Sequence, residues 1–330
     1  MKKSLLALAV LTAAGSANAG INLYDANGVK VDLSGAVEVQ YREDYEPQND
    51  AELRIDDADL ALTTTVAISE QLNVVAGTAF AYEDTTVTND ELWAGFSGDF
   101  GTLTFGRQYM ISDDSGIGKD YELGSEGIDF VQTNGNEVIK YVYDNGTFYA
   151  GASHDMKDSG QIVDSNGVTH QDRDTRITDA RVGYRFGGLD ARAYYYTADN
   201  AAGVSFFKGV TDVEGYNLEA EYAFGQFGLA ASFGQVEYKD SFGTDKLRGN
   251  VYQLAASYTM EKTTFALGYN NYDRRDEKGD NYAVYANVTQ QLHSNVKVYG
   301  EIGNTDAKFL EKGESRNSDF GYVAGLEVTF

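Results

Sequence analysis

DFGYVAGLEVTF, at residues 319–330, repeats every two residues. Phe320, Tyr322, Ala324, Leu326, Val328 and Phe330 fall on one face of an extended chain. Asp319, Gly321, Gly325, Glu327 and Thr329 fall on the other. A helix would not group these residues this way, whereas a strand puts alternate side chains on opposite faces. YNLEAEYAFG (216–225) repeats the pattern, with Tyr216, Leu218, Ala220, Tyr222 and Phe224 against Asn217, Glu219, Glu221 and Ala223. VYQLAASYTM (251–260) does so again, with Tyr252, Leu254, Ala256, Tyr258 and Met260 on one side. These faces carry aromatic residues near their ends and run for about 10 to 13 residues, the length a tilted strand needs to cross a bilayer. Strands of soluble sandwiches are usually about five or six residues long. The reading is all-β: a transmembrane antiparallel β-barrel.

Composition agrees. Tyrosine (24), phenylalanine (17) and glycine (36) are abundant, and Pro47 is the one proline, as strands paired on both edges require. The absence of cysteine excludes disulfides and thiolate metal sites. MKKSLLALAVLTAAGSANAG (1–20) has Lys2 and Lys3, an apolar run from Leu5 to Leu11, and Ala17-Asn18-Ala19. That is the pattern of a signal peptide cleaved after Ala19, leaving residues 20–330 as a single domain. No later apolar run approaches the ~18 residues of a membrane helix. The formal charge is −25. So acidic a chain is a poor partner for nucleic acid and attracts cations.

Short turns at residues 69–71, 98–99, 144–146, 187–188, 225–226, 261–262 and 293–295 alternate with longer polar links. The longer links fall near 42–51, 84–90, 110–136, 156–174, 199–212, 240–249, 273–280 and 307–318. Short periplasmic turns and long outer loops are the rule for outer-membrane barrels. The segments between links number about 16, enough to enclose a water-filled channel. The longest link begins at Tyr109: YMISDDSGIGKDYELGSEGIDFVQTNGNEV. Here the alternation stops, and Asp113, Asp114, Asp120, Glu122, Glu126 and Asp129 sit among glycines with Lys119. So long a link is uncommon unless it is functional or disordered.

NLYDANGVKVDLSG (22–35), FGTLTFGRQY (100–109), the Asp144-Asn145-Gly146 hairpin and the terminal strand ending in Phe330 together resemble the general diffusion porins of Gram-negative outer membranes. The closer likeness is to the OmpU-like porins of vibrios and their relatives. The resemblance spans residues 20–330 and rests on order and spacing rather than on one motif. It implies a 16-stranded homotrimer in the cell outer membrane, in contact with its lipid and lipopolysaccharide. It also implies that the third outer loop, after the fifth strand TLTFGRQY, folds into the pore and carries acids facing basic residues on the wall. Tyr121-Glu122-Leu123-Gly124-Ser125 resembles the family's PEFGG-like segment, which makes Glu122 the main constriction acid.

The wall departs from that pattern. The turn Ile68-Ser69-Glu70-Gln71-Leu72 resembles the family's I-N-D-x-L turn and sets the register of the second strand. The usual basic positions then fall on Ala36, Asp59, Asp90 and Asn136, none of them basic. With Leu60 and Leu62 toward lipid, Asp57 and Asp59 face the lumen. Alternation also turns Arg42, Lys140, Arg181, Arg185, Arg192 and Lys297 inward. Lys140 is the candidate to face the loop, and Arg185 and Arg192 read as solvated side chains near the periplasmic mouth. Arg107 shares a face with Leu103 and Phe105 and points outward. The resemblance makes it a subunit-interface latch for Glu83 or Asp84 of a neighbouring copy.

The expected function is passive diffusion of small hydrophilic solutes and ions, with cations preferred. Two charges a few ångströms apart across a narrow aqueous gap interact by about 1–4 kcal/mol. A sugar-specific channel is the alternative; it needs an aromatic track, for which Tyr194, Tyr196, Tyr285 and Tyr299 are the candidates. Catalysis is not expected, because neither G-x-S-x-G nor H-E-x-x-H occurs. No cofactor or metal ligand set is expected either.

Overall fold

In the computed structural model, alternation becomes a closed barrel of sixteen antiparallel strands. The structure describes residues 20–45, 50–83, 86–117, 122–123, 132–158, 162–163, 169–170, 175–201, 211–240, 246–274, 280–305, 309–311, 314–316 and 320–330. The proposed leader, residues 1–19, lies outside them. The strands are β1 (Val29–Glu43), β2 (Glu52–Ser69), β3 (Leu72–Ala81), β4 (Thr88–Gly98), β5 (Gly101–Tyr109), β6 (Asn134–Asp144), β7 (Phe148–Asp158) and β8 (Thr175–Phe186). They continue as β9 (Leu189–Ala201), β10 (Thr211–Phe224), β11 (Phe227–Asp240), β12 (Lys246–Met260), β13 (Thr263–Arg274), β14 (Asp280–His293), β15 (Val296–Thr305) and β16 (Phe320–Thr329). Each pairs with the next, and β16 closes on β1 from Ala36↔Thr329 to Glu43↔Tyr322.

A further strand, Ile21–Ala26, pairs with the start of β1, from Ile21↔Leu33 to Ala26↔Val29. It takes over β1's edge where β16 stops. Between the two, Gly35 N–H donates to Phe330 O (2.8 Å) and Phe330 N–H to Gly35 O (3.0 Å). The strand Ile21–Ala26 and the last strand thus share one edge and leave little of it unpaired. Two small ribbons, Ile162–Val163 with Thr169–His170 and Phe309–Glu311 with Glu314–Arg316, belong to the long connections.

The apolar face lies outside, as the terminal strand predicts. Phe320, Leu326 and Val328 are exposed, while Val323 and Glu327 are buried toward the lumen. Aromatic rings bound this outer band. At the short-turn end Tyr222, Phe224, Phe227 and Tyr258 form a chain with ring centroids 5.4, 5.4 and 5.0 Å apart. Toward the long-loop end Tyr216, Phe233 and Tyr252 do the same at 6.1 and 5.2 Å. Such paired girdles flank the lipid-facing band of outer-membrane barrels. The strands run from 9 residues in β5 to 18 in β2, beyond the 10 to 13 that the apolar faces suggest. The reason is visible on β10–β12, where the ladder continues above the upper girdle with Glu214, Glu237 and Arg248 facing outward.

The lumen is not evenly open. Met110, Val138, Ile177, Tyr196, Val213, Val236 and Val251 form a buried apolar cluster on the inner wall of β6–β12, in its long-loop half. The barrel therefore carries an internal apolar core on that side.

Candidate functional site

The third long link turns into the barrel. Met110 N–H donates to Thr133 O (2.7 Å), joining the two arms of the loop at its base. Lys140 Nζ donates to Tyr109 O (2.9 Å) at the same place, so it holds the loop's root. Ile111–Asp114 then make one 3₁₀ turn.

Buried groups of β7–β10 fix this first arm. Ile111 N–H donates to Ser153 Oγ (2.9 Å), and Ser112 N–H to Asp179 Oδ2 (2.7 Å). Arg181 donates to Asp114 Oδ2 (2.6 Å) and to the Tyr194 hydroxyl (3.3 Å). Gly116 N–H donates to Glu219 Oε1 (2.5 Å). Arg192 donates to Gly116 O (3.0 Å) and Glu221 Oε1 (2.6 Å), and also binds Glu219. Asp179 is 1% exposed and Glu219 4%. Carboxylates this buried persist because loop amides and arginines satisfy them.

Glu122 and Leu123 lie against the opposite wall. Leu123 N–H donates to Glu301 Oε1 (2.7 Å) and Glu122 N–H to Glu301 Oε2 (3.3 Å). Asn287 Nδ2 also donates to Glu301 Oε2 (2.9 Å). Tyr45 donates its hydroxyl to Leu123 O (2.7 Å). The Leu123 side chain is fully buried with Tyr45, Tyr285, Tyr299 and Val323. Gly303 makes room for this contact, because a Cβ there would lie 2.1 Å from the Tyr45 hydroxyl oxygen.

Beside the tip lies a network of acids and arginines. Arg42 donates to Glu122 Oε2 (3.3 Å) and Asp44 Oδ1 (2.5 Å). Arg54 donates to Gln40 Oε1 (3.0 and 3.1 Å) and Asp56 Oδ1 (2.5 Å). Tyr299 donates its hydroxyl to Glu38, and Gln40 Nε2 donates to that hydroxyl (2.8 Å). Glu38, Asp56 and Glu122 each place a carboxylate oxygen within 4.8 Å of the others. Burial, and after it the Asp56 carboxylate, push the Glu122 carboxyl up to about 8. A second acidic group, Asp57, Asp59 and Glu83, is equally close-set.

A β-bulge between Glu38 and Val39 of β1 and the facing stretch of β2 explains this crowding. Glu38 pairs with Asp57 and Val39 with Ile55, so Asp56 is the extra residue. Beyond it the alternation of β2 changes phase and Arg54 joins the lumen face. A bulge re-aims side chains in this way. Strict alternation from Leu60 and Leu62 finds Asp57 and Asp59 but misses Arg54 and Asp56.

The other expected positions distribute as follows. Asp113 accepts the Thr133 hydroxyl (2.7 Å) at the loop's root. Lys119, Asp120, Glu126 and Asp129 lie outside the described residues, as does Asp84. Asp90 occupies a second bulge, between Asn89 and Glu91, and accepts the hydroxyls of Thr88 (3.1 Å) and Tyr109 (3.3 Å). That bulge lets Leu92 and Phe96 face out while Trp93 is buried inside. Asn136 turns outward rather than onto the pore wall and accepts Arg107 Nε (2.8 Å). Arg107 is exposed and outward, and also donates to Asn89 O (3.0 Å) and Oδ1 (2.9 Å) of its own chain. Glu83 sits with the lumen acids Asp57 and Asp59 of its own chain.

Arg185 fits its reading near the short-turn end, donating to both Asp144 oxygens (2.9 and 2.8 Å). Arg192 does not: it is a loop clamp rather than a solvated side chain. Tyr194 and Tyr196 are 3% and 0% exposed and donate to Asp114 O (3.1 Å) and Gln132 O (2.9 Å). They support the loop instead of lining a track. Alternation alone could place the anchoring acids Asp179, Glu219 and Glu301 inside, but not their amide partners.

Known proteins share this architecture. The chain's residues 5–310 match the model of the Gram-negative porin family. It is 55% identical to porin-like protein H of Photobacterium profundum, over the full length of both. It is 27% identical to outer membrane protein U of Vibrio parahaemolyticus, over 87% of this chain and 85% of that one. Among solved structures, outer-membrane expressed OmpT of Vibrio cholerae superposes with a TM-score of 0.76 at 17% identity, covering 93% of this chain and 99% of that one. An anion-selective porin from Comamonas acidovorans superposes at 0.72 and 21% identity, covering 92% and 100%. With the whole barrel and the sequence match in agreement, the chain belongs to the Gram-negative porin family and is an outer-membrane porin.

Proposed function

We propose that this porin is a passive, cation-preferring channel for small hydrophilic solutes, narrowed by its third loop. One observation carries the reading: Asp57, Asp59 and Glu83 gather on the lumen side of β2–β3, apart from the internal core on β6–β12. Grouped carboxylates raise the local cation concentration and repel anions. The fold itself does not set the sign, since the Comamonas acidovorans porin of like fold is described as anion-selective. The sign lies in side chains. Asp113 on the loop, with Asp57, Asp59 and Asp90 on or near the wall, is not offset by Arg42, Lys140 or Arg181, each of which already serves a carboxylate or a loop carbonyl.

The same reading takes the protein as a homotrimer. The outward Arg107, with Asn89 and Asn136, makes a polar patch on a face that is otherwise apolar, and a polar patch facing lipid is costly. A covering subunit removes that cost. A trimer form is described for the similar OmpT of Vibrio cholerae. The sugar-channel alternative loses its support, because an aromatic track requires exposed ring faces and Tyr194, Tyr196, Tyr285 and Tyr299 are all buried.

The test is the reversal potential of purified protein in planar bilayers under a KCl gradient. The expected sign is that of cation permeation, in closing steps of three. A potential near zero, or of the opposite sign, refutes the acidic-channel reading.

A further inference from the structure

Below the first arm of the third loop, the inner wall of β10–β12 is hollowed. Gly228 and Ala230 of β11 pair with Ser257 and Ala255 of β12. On the other side Ala230 pairs with Glu221 of β10, and Glu221 with Asp190 of β9. One level up, Ser232 donates to Gln253 Oε1 (2.7 Å) and the larger side chains close the inner surface. Here the side chains are too small to do so. They leave a hollow of about 230 Å³, with Gly228, Ala230, Ala255 and Ser257 as its floor and Asp190 and Glu221 at its edge. Ile117 of the loop, 3% exposed, is its roof.

The roof is fixed in place. Glu219 holds Gly116 N–H and Arg192 holds Gly116 O. Glu219 lies two residues farther along β10 from the turn at 225–226 than Glu221 does. The arm therefore covers the long-loop side of the hollow, and the approach is from the short-turn end.

The edge is acidic. Arg192 is shared by Glu219 and Glu221, and Arg185 by Asp144 and Asp190. Four carboxylates thus stand against two guanidiniums, so negative charge is in excess. Asp190 also accepts the Tyr149 hydroxyl at Oδ1 (2.5 Å), which fixes its position. The Asp190 and Glu221 side chains are 28% and 31% exposed, so their charge is felt in the hollow.

We propose that this hollow binds a small organic cation with an apolar body, an aryl- or alkylammonium, entering from the short-turn side. Its ammonium lies at Asp190 and Glu221, and its ring or chain lies on the alanine floor under Ile117. The volume is below the ~300–1,000 Å³ of sites for drug-sized ligands, which limits the body to one ring or a short chain. An inorganic cation gains nothing from the alanines, and an anion meets the carboxylates. A sugar would leave hydroxyls without partners over Gly228, Ala230 and Ala255. The site is separate from the Asp57, Asp59 and Glu83 group on which the proposed cation preference rests. Its occupancy shows as an obstructed current, whatever the sign of the reversal potential.

The experiment records single-channel current in planar bilayers with benzyltrimethylammonium in one chamber at a time. Block should saturate, and should be about tenfold stronger from one chamber than from the other. Tetramethylammonium, which lacks the ring, and benzyl alcohol, which lacks the charge, should each block about tenfold more weakly. Ala230→Leu/Ala255→Leu fills the floor and should weaken the block about tenfold, as expected for losing roughly 60 Å² of apolar burial. Asp190→Asn should weaken it about three- to tenfold. Heat-modifiable mobility checks that both variants are folded. Affinity within twofold of wild type in both overturns the proposal. Equal block by tetramethylammonium overturns the apolar contact, and equal block by benzyl alcohol overturns the role of charge. Equal block from the two chambers overturns the one-sided entry.

Discussion

Arg181 and Asp114 meet at 2.6 Å inside the barrel, 67 residues apart in the chain. A strand cation and a loop acid are joined there, with the Tyr149 and Tyr194 rings 5.3 and 5.7 Å from the guanidinium. The pair is a structural hinge pin for the loop's first arm rather than a free charge in the pore.

Arg181→Ala should therefore loosen the loop more than it alters ion preference. Removing one partner of a buried ion pair costs about 3–5 kcal/mol. Asp114 keeps some solvent contact, so the lower end of that range applies. The temperature at which the folded band converts to the unfolded one on a gel should fall, and open-channel noise should rise. Arg181→Lys, which lacks the planar fork, should restore only part of the loss.

The wall acids should govern selectivity. Asp59→Asn and Asp57→Asn should each lower the cation-to-anion permeability ratio about two- to fivefold at low salt, with fold and oligomer unchanged. Arg54→Gln should shift the ratio the other way. Screening shortens the reach of these charges to about 3 Å at 1 M salt, so the differences should shrink there. If Asp59→Asn is silent while an outer-loop acid matters, the selecting charges lie elsewhere.

Glu122 should make the pore respond to pH. Its carboxyl is pushed up to about 8 by burial, so it is neutral below that value and charged above it. Cation preference should consequently increase from pH 6 to pH 9. In Glu122→Gln that increase should be much reduced over the same interval. The measurement is a series of reversal potentials at fixed salt, and an identical rise in both proteins would place the titrating group elsewhere.

Leu123 should hold the tip. Leu→Ala at a fully buried site costs about 2–5 kcal/mol. Leu123→Ala should raise conductance and its fluctuation, because the tip leaves Tyr45 and Val323. Gly303→Val should have a similar effect by displacing the Tyr45 hydroxyl. Unchanged currents in both would separate the tip from the control of pore size.

The barrel is legible in the sequence because lipid on one side and water on the other impose a strict period of two. DFGYVAGLEVTF states that period without interruption, and the structure keeps it from Phe320 to Thr329. The position of the third loop is legible from its length and its place after TLTFGRQY. What alternation cannot show is where the period slips. One extra residue at Asp56 changes the phase of Arg54, and another at Asp90 reconciles an outward Leu92 with a buried Trp93. The loop's fastenings are also hidden, since they join amide hydrogens of Ser112, Gly116, Glu122 and Leu123 to acids far along the chain. Arg192 illustrates the point: its neighbours describe a side chain near a mouth, and only the fold reveals Gly116 and Glu219 beside it.

The loop tip rests where the barrel's first and last strands meet. Leu123 packs with Tyr45 at the end of β1 and with Val323 on β16, so its socket does not exist until those strands have joined. Assembly thus has an order built into it. The Leu123 socket cannot form before the wall is complete, and a chain lacking its final strand would have neither a closed wall nor that seat. The seating of Leu123 is in that sense a certificate that the cylinder has been finished.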